Sequence, residues 1–449
     1  MMNEVVINYF LFIQMKKTFP YRYRVLILLF FLILITYLDR VCISLVGVRI
    51  KSEFNLSNTQ FGYVLGAFAL AYALFEIPAG MLGDRIGQQK VFVRIVIWWS
   101  IFTAVTGVTT GFITLMFTRF LFGMGEAGAF PNGCGVISRW FPVAETSKGT
   151  SCLMIGSSTG AAIAPLIVIP IAAAYGWRAP FFVNGFIGLL WVLVCIAWFK
   201  NEPGEMKNIS SQEKLLIENN RRFIHHQQKF PWSIALKNRS LWALAVQAFC
   251  SQWAAYFFIA WMPVYLQEGR HFSETAMKFT TSYLFVVGMM GGLLSGFFID
   301  KFVKKKGIKY GRRLISMIAF GTMSLLFITT ALTTSNTVAS ACLMFCYFFV
   351  PVNGINYFSA CVDIGRNKAG TVAGIINFSG SMGAFILSIA FGKIADGTHN
   401  FNAPLFVVAG VLFVGCLLWL LIDAGKPLTE AEANNIYTIP AHEKNLVIN

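Results

Sequence analysis

Apolar residues run through this chain in blocks of about twenty, each cut off by a short polar turn, and ~20 apolar residues is the length a helix needs to cross a bilayer. The pattern predicts twelve such helices, near residues 24–46, 60–82, 91–109, 112–137, 149–174, 179–199, 240–266, 279–299, 314–333, 336–360, 370–392 and 403–423. No segment shows the ten-residue alternation of an outer-membrane barrel strand, so the expected fold is an all-α membrane protein. One long polar stretch, 200–239, parts six spans from six. The predicted organisation is therefore an N-terminal segment 1–23, a first six-helix bundle 24–199, a central loop 200–239, a second bundle 240–423 and a tail 424–449.

The two bundles echo each other. Gly80–Asp84–Arg85 is answered by Gly296–Asp300–Lys301, Lys148–Gly149–Thr150 by Lys368–Gly370–Thr371, and Ala179–Pro180–Phe182 by Ala403–Pro404–Phe406. All three matches fall in the same order at nearly one displacement. That is the pattern of a parallel duplication, in which a substrate sits between two halves that rock around it.

Composition narrows the class. The chain is 56% hydrophobic and 12% charged, with a mean hydropathy of +0.64, whereas soluble domains carry about 25% charged residues. The net charge of +16 does not mark a nucleic-acid binder: 28 of the 36 Lys and Arg fall on the side of the even-numbered turns and the termini, and six on the other. That bias is the positive-inside rule. It predicts a multi-pass plasma-membrane protein (inner membrane in a Gram-negative cell) with both termini cytoplasmic. The nine cysteines have no metal-ligand spacing and the five histidines lie outside the spans. No Walker A motif or nucleophile constellation is present, so neither an enzyme nor a cofactor or metal site is expected. Gly123–Gly125–Gly128 fits a dinucleotide pattern in letters only, because it follows no strand. The first fourteen residues do not read as a signal peptide, and MKKTFPYRYR suggests a start at Met15.

Four ionisable residues stand inside apolar spans: Asp39 and Arg40 in the first, Arg119 and Glu126 in the fourth. Each would cost ~2.5–3.5 kcal/mol alone at mid-bilayer, so they must face one another, water or a guest. Asp39 and Arg40 point ~100° apart on their helix, while Arg119 and Glu126 share a face but lie ~10 Å apart along it. Each is expected to reach another helix.

The segment Gly80–Met–Leu–Gly–Asp84–Arg85–Ile–Gly87–Gln88–Gln89–Lys90 resembles the loop 2–3 signature of the major facilitator superfamily. More narrowly, YLDR (37–40), FEIPAGMLGDR (75–85), RFLFGMGEAGAFP (119–131), RWFP (139–142) and GWRAPFFVNG (176–185) resemble its anion:cation symporter family, which includes sugar-acid/proton symporters and relatives of vesicular glutamate and sialic acid transporters. The resemblance implies two pseudo-symmetric six-helix bundles and symport of an organic carboxylate with protons by a monomer. It places proton coupling on Asp39, Glu126 and Arg119, and substrate contacts on Arg40, Tyr37, Tyr72, Ser157, Gln252 and Asn377. It assigns a conformational latch to Gly80, Asp84, Arg85 and Gly87, with Asp300 and Lys301 as its repeat. The expected pairing, in one conformation, is Asp39 with Arg119, leaving Arg40 free for a carboxylate. Glu76 either lines the pathway or supports the latch. Gln88–Gln89 replace basic residues usual in the latch, and Ser157 stands where sugar-acid symporters carry glutamine. Rival readings are an organic-anion exporter or antiporter of the same fold, and a transporter-like sensor.

Overall fold

The computed structural model describes residues 19–142, 145–206, 208–221, 232–365, 369–426 and 428, and no strand occurs among them. The candidate start at Met15, part of the central loop and most of the tail lie outside the described residues. The first half comprises α1 (Tyr21–Leu45), a short α2 (Gly47–Phe54), α3 (Asn58–Ile86), α4 (Gln88–Thr106), α5 (Phe112–Glu126), α6 (Ala129–Trp140), α7 (Thr146–Tyr175) and α8 (Ala179–Trp198). After the connector helix α9 (Ser211–Asn220) come α10 (Arg239–Tyr256), α11 (Glu274–Lys306), α12 (Ile308–Leu332), α13 (Asn336–Gly365), α14 (Ala369–Thr398) and α15 (Ala403–Leu418).

Among the described residues, ten helices are long and apolar enough to cross a membrane, and α15 is a shorter apolar one. The remaining predicted span, 112–137, is broken rather than continuous. α5 ends at Glu126 and α6 begins at Ala129, where glycines and Pro131 weaken helix propagation. The seventh span also departs from a plain α-helix: beyond Tyr256 it widens into π-helical turns at Phe257–Trp261 and Tyr265–Gly269. Such wide turns are frequent at functional sites.

Packing repeats between the halves. α1 lies on α7, α3 on α5 and α4 on α8; in the second half α10 lies on α14, α11 on α13 and α12 on α15. Across the halves, α3 packs on α14 and α7 on α11, which is the same contact taken twice. The second half is also laced by a buried polar ladder. Asn353 of α13 donates to Ser251 of α10 at 2.8 Å and accepts from Ser316 of α12 at 3.2 Å. Arg312 donates to Asp363 at 2.6 Å.

The ends of the bundle differ. At the end holding α2, the halves are bound together. Arg49 makes a bidentate pair with Glu274, both bonds 2.8 Å, and Lys51 pairs with Glu268 and donates to Asn58. Ser57 and Gln60 form a capping box at the start of α3. The neighbouring orphan amides of Asn58 and Thr59 donate to the carboxylate of Asp396 on α14, at 3.1 and 2.7 Å, with their side chains adding bonds of 2.8 and 2.6 Å. A carboxylate at a helix N-terminus meets both the unpaired N–H groups and the positive end of the dipole. At the opposite end, every ion pair among the described residues stays within one half, as in Lys309 with Asp423, joins a half to the central loop, as in Arg22 with Glu213, or lies within that loop, as in Arg221 with Glu202.

Candidate functional site

The charged residues of the first and fourth spans meet at the centre of the first half. Gly123 makes this approach possible: a Cβ there would run into the backbone of Phe68, so α5 lies directly against α3. Arg40, from α1, donates through Nε to Glu126 Oε2 at 3.0 Å. The Glu126 side chain is fully buried and that of Arg40 is 12% exposed, so the guanidinium is the member of the pair that solvent or a guest can touch. An aromatic collar holds it: its centre lies 4.6 Å from the Tyr72 ring, 5.0 Å from Tyr37 and 5.2 Å from Phe68. Arg119 is buried and sits 4.1 Å from the centre of Phe122 and 5.4 Å from that of Phe68.

The pairing in this conformation differs from the expected one. Asp39 makes no ion pair with Arg119, and Arg40 is not free but engaged by Glu126. The ~100° turn between adjacent helical residues explains it. With Arg40 directed at α5, Asp39 is carried round toward α8, where Asn184 lies within side-chain reach. Both Asp39 oxygens, Glu126 Oε1 and Arg119 Nε are buried without a hydrogen-bond partner. Buried polar atoms are ordinarily paired, so this group holds bonding capacity that its protein neighbours do not use.

Residues 29–388 match the family profile described as Major Facilitator Superfamily. The chain belongs to the major facilitator superfamily. Among its relatives, the "Probable sulfoacetate transporter SauU" of Cupriavidus necator is 29% identical over 413 residues, covering 91% of this chain and 95% of that one. The "Hexuronate transporter" of Bacillus subtilis is 28% identical over 417 residues, covering 91% and 97%. Two solved structures share the fold. A bacterial homolog of the human lysosomal transporter Spinster, in an inward-facing and occupied conformation, superposes with a TM-score of 0.73 at 20% identity, covering 90% of this chain and 97% of that one. The D-xylose-proton symporter gives 0.72 at 15%, covering 91% and 99%. These relatives are named as transporters, and the chain is a transporter of this superfamily rather than an enzyme.

The remaining candidate residues of this superfamily member fall into three places. Tyr37 and Tyr72 belong to the collar around Arg40. Gln252 and Asn377 come from the second half: Gln252 packs beside Gly380, and Asn377 Nδ2 donates to Glu76 Oε1 at 3.3 Å. Ser157 is not joined to the charged group by a hydrogen bond, since its hydroxyl donates to the Met154 carbonyl at 2.7 Å on its own helix.

The latch residues stand apart. Asp84 and Arg85 are exposed and make no ion pair among the described residues, and Lys301 is exposed. The side chain of Asp300 lies outside the described ones. Gly80 packs on Pro131, and Gly87 takes φ +91°, a conformation that other residues adopt only with strain. The two glutamines have their own explanation: Gln88 is buried, and Gln89 donates its backbone N–H to Asn201 Oδ1 at 2.8 Å. The Gln89 side chain also donates to the Phe199 carbonyl, which fastens the turn to its own half.

Sequence reasoning missed Asn184 and Tyr256. Tyr256 lies in the electrostatic surroundings of both Arg40 and Arg119. A signal existed for it, because it follows Gln252 by four residues and so shares its helix face.

Proposed function

We propose that the protein is a secondary active transporter that carries a small organic anion together with protons by alternating access. The observation that carries this reading is the buried Arg40–Glu126 ion pair, with Glu126 sealed and Arg40 accessible. When Glu126 is protonated, the pair loses its charge attraction and the guanidinium fork is released. A guest carboxylate can then take two charge-assisted hydrogen bonds from it. Proton and anion binding thereby favour each other, and linkage makes the favour reciprocal. Asp39 and Arg119 supply a second proton site and a second cation, while Tyr37, Tyr72, Gln252 and Asn377 shape the guest's surroundings. Ser157 contributes from the rim.

The names of the relatives, which speak of sulfoacetate and hexuronate, support a small organic acid as the guest. The positive-inside bias supports cytoplasmic termini in a plasma membrane. In that orientation the α2 end faces outward and is shut by Arg49–Glu274, Lys51–Glu268 and Asp396, while the latch end carrying Asp84 and Arg85 faces the cytoplasm unlatched. The conformation is then inward-facing, the moving bodies are residues 24–199 and 240–423, and the transporter works as a monomer. The test is uptake of radiolabelled organic acids into proteoliposomes under an imposed pH gradient. Accumulation that collapses when the gradient is dissipated supports symport; accumulation driven only by the opposite gradient contradicts it.

A further inference from the structure

The charges of the site do not balance if Glu76 is counted. Arg40 and Arg119 bring two positive charges, and Asp39 and Glu126 bring two negative ones. Glu76, on α3 one helical turn beyond Tyr72, adds a third carboxylate within electrostatic range of Arg40. It is the one acid of this group that touches the other half of the protein, through the amide of Asn377 on α14 at 3.3 Å. Its surroundings hold few other charges. Arg40 faces it from α1, the Tyr357 phenol from α13, the Cys134 thiol from α6 and the Tyr72 phenol from its own helix. Arg119 and Glu126 lie on α5, which also packs against α3, while Lys90 and Arg94 of α4, Arg139 of α6 and Lys393 and Asp396 of α14 are the other charged residues of the helices around it. With every acid ionised, the group carries one net negative charge, which repels an anion.

We propose that Glu76 is a third proton-carrying side chain of the transport site, one that must be neutralised before an anion loads. This inference rests on the proton-coupled reading above. A guest of charge −z makes the occupied site neutral when z + 1 protons accompany it, because one proton offsets Glu76 and the others offset the guest. Neutrality matters here because an uncompensated charge away from water is strongly disfavoured. One net positive charge then crosses the membrane per cycle, whatever the charge of the guest. Neutralising Glu76 also weakens its acceptor bond from Asn377, so loading loosens a contact between the halves at the cavity itself.

The experiment uses the full chain in proteoliposomes with radiolabelled sulfoacetate, glucuronate and glucarate as probes. A potassium diffusion potential is imposed without a pH gradient. In the wild type, about −59 mV inside should sustain a tenfold gradient of the carried anion, the ratio for one charge per event. Glu76→Gln should still accumulate the anion under a pH gradient but become indifferent to the potential, whereas Glu76→Asp should keep the response. A wild type indifferent to the potential, or a Glu76→Gln protein that keeps the full response, overturns the assignment. Should Glu76→Gln fail to insert, the exchanged pair Glu76→Asn with Asn377→Glu restores one carboxylate across the same contact. It should respond to the potential, and active transport by it without that response overturns the inference too. Absence of pH-driven uptake of all three probes by the wild type overturns the proton-coupled reading itself, a different result from coupled transport that ignores Glu76.

Discussion

Arg40 and Glu126 are bound closely enough that each variant of one exposes the state of the other. Arg40→Ala leaves the fully buried Glu126 carboxylate alone, and breaking a buried pair from one side costs about 3–5 kcal/mol. The variant should melt well below the wild type in detergent, and the loss should shrink in acid, where Glu126 can take a proton. Arg40→Ala with Glu126→Ala should recover most of it; a double variant as unstable as the single one would mean that the pair is not the source. Arg40→Lys keeps the charge but gives up the planar fork and part of the stacking in the tyrosine collar. Its anion affinity should fall ten- to a hundredfold, about 1.4–2.8 kcal/mol, read as a raised half-saturation concentration for uptake. The sequence revealed this cluster because ions in apolar spans stand out, yet it did not reveal who pairs with whom. Asp39 and Arg40 are neighbours, and only the placement of α5 and α8 decides which of them meets Glu126 and which meets Asn184.

At the scale of elements, the contact of Asp396 with the start of α3 ties the halves together at the α2 end. Its carboxylate accepts four hydrogen bonds from Asn58 and Thr59, and bonds to a charged acceptor are worth about 1.5–3 kcal/mol each. Asp396→Asn should shift the population toward opening at that end by tenfold or more. Spin labels at residues 57 and 400 should report a longer separation in the variant, and an unchanged distance distribution would remove Asp396 from the closure. A weaker element-scale effect is set by pH. Hydrogen bonds from Arg178 and then Trp177 hold the exposed Glu53 carboxyl of α2 below its ordinary range. Its small contribution is therefore present above the ordinary carboxylate pKa of about 4.3 and lost as pH falls through the lowered value. Melting curves of wild type and Glu53→Gln should differ near neutrality and converge in acid.

For the whole molecule, twelve apolar blocks were legible because a bilayer imposes one length and one polarity on every helix that crosses it. The internal echo at Gly80 and Gly296 was legible as matched letters at one displacement, and in the first half Gly80 allows the close approach of Pro131 while the turn itself requires Gly87 at φ +91°. What the chain concealed are features of contact. The break between Glu126 and Ala129 and the wide turns after Tyr256 leave the hydrophobic pattern intact while changing where side chains point. The hydrogen bond from Asn377 to Glu76 joins residues 301 positions apart and left no trace in either local pattern. On the proposed transport cycle, the end tied by Arg49–Glu274 and the end without ties between the halves belong to one of two alternating conformations.

The measurement that bears most directly on coupling compares two modes of transport in Glu126→Gln proteoliposomes. The neutral amide would mimic the protonated acid permanently, so counterflow exchange of the anion should continue at a substantial rate while accumulation driven by a pH gradient disappears. Full gradient-driven accumulation by that variant, matched to the wild type, would contradict the claim that a proton on Glu126 releases Arg40 to the guest.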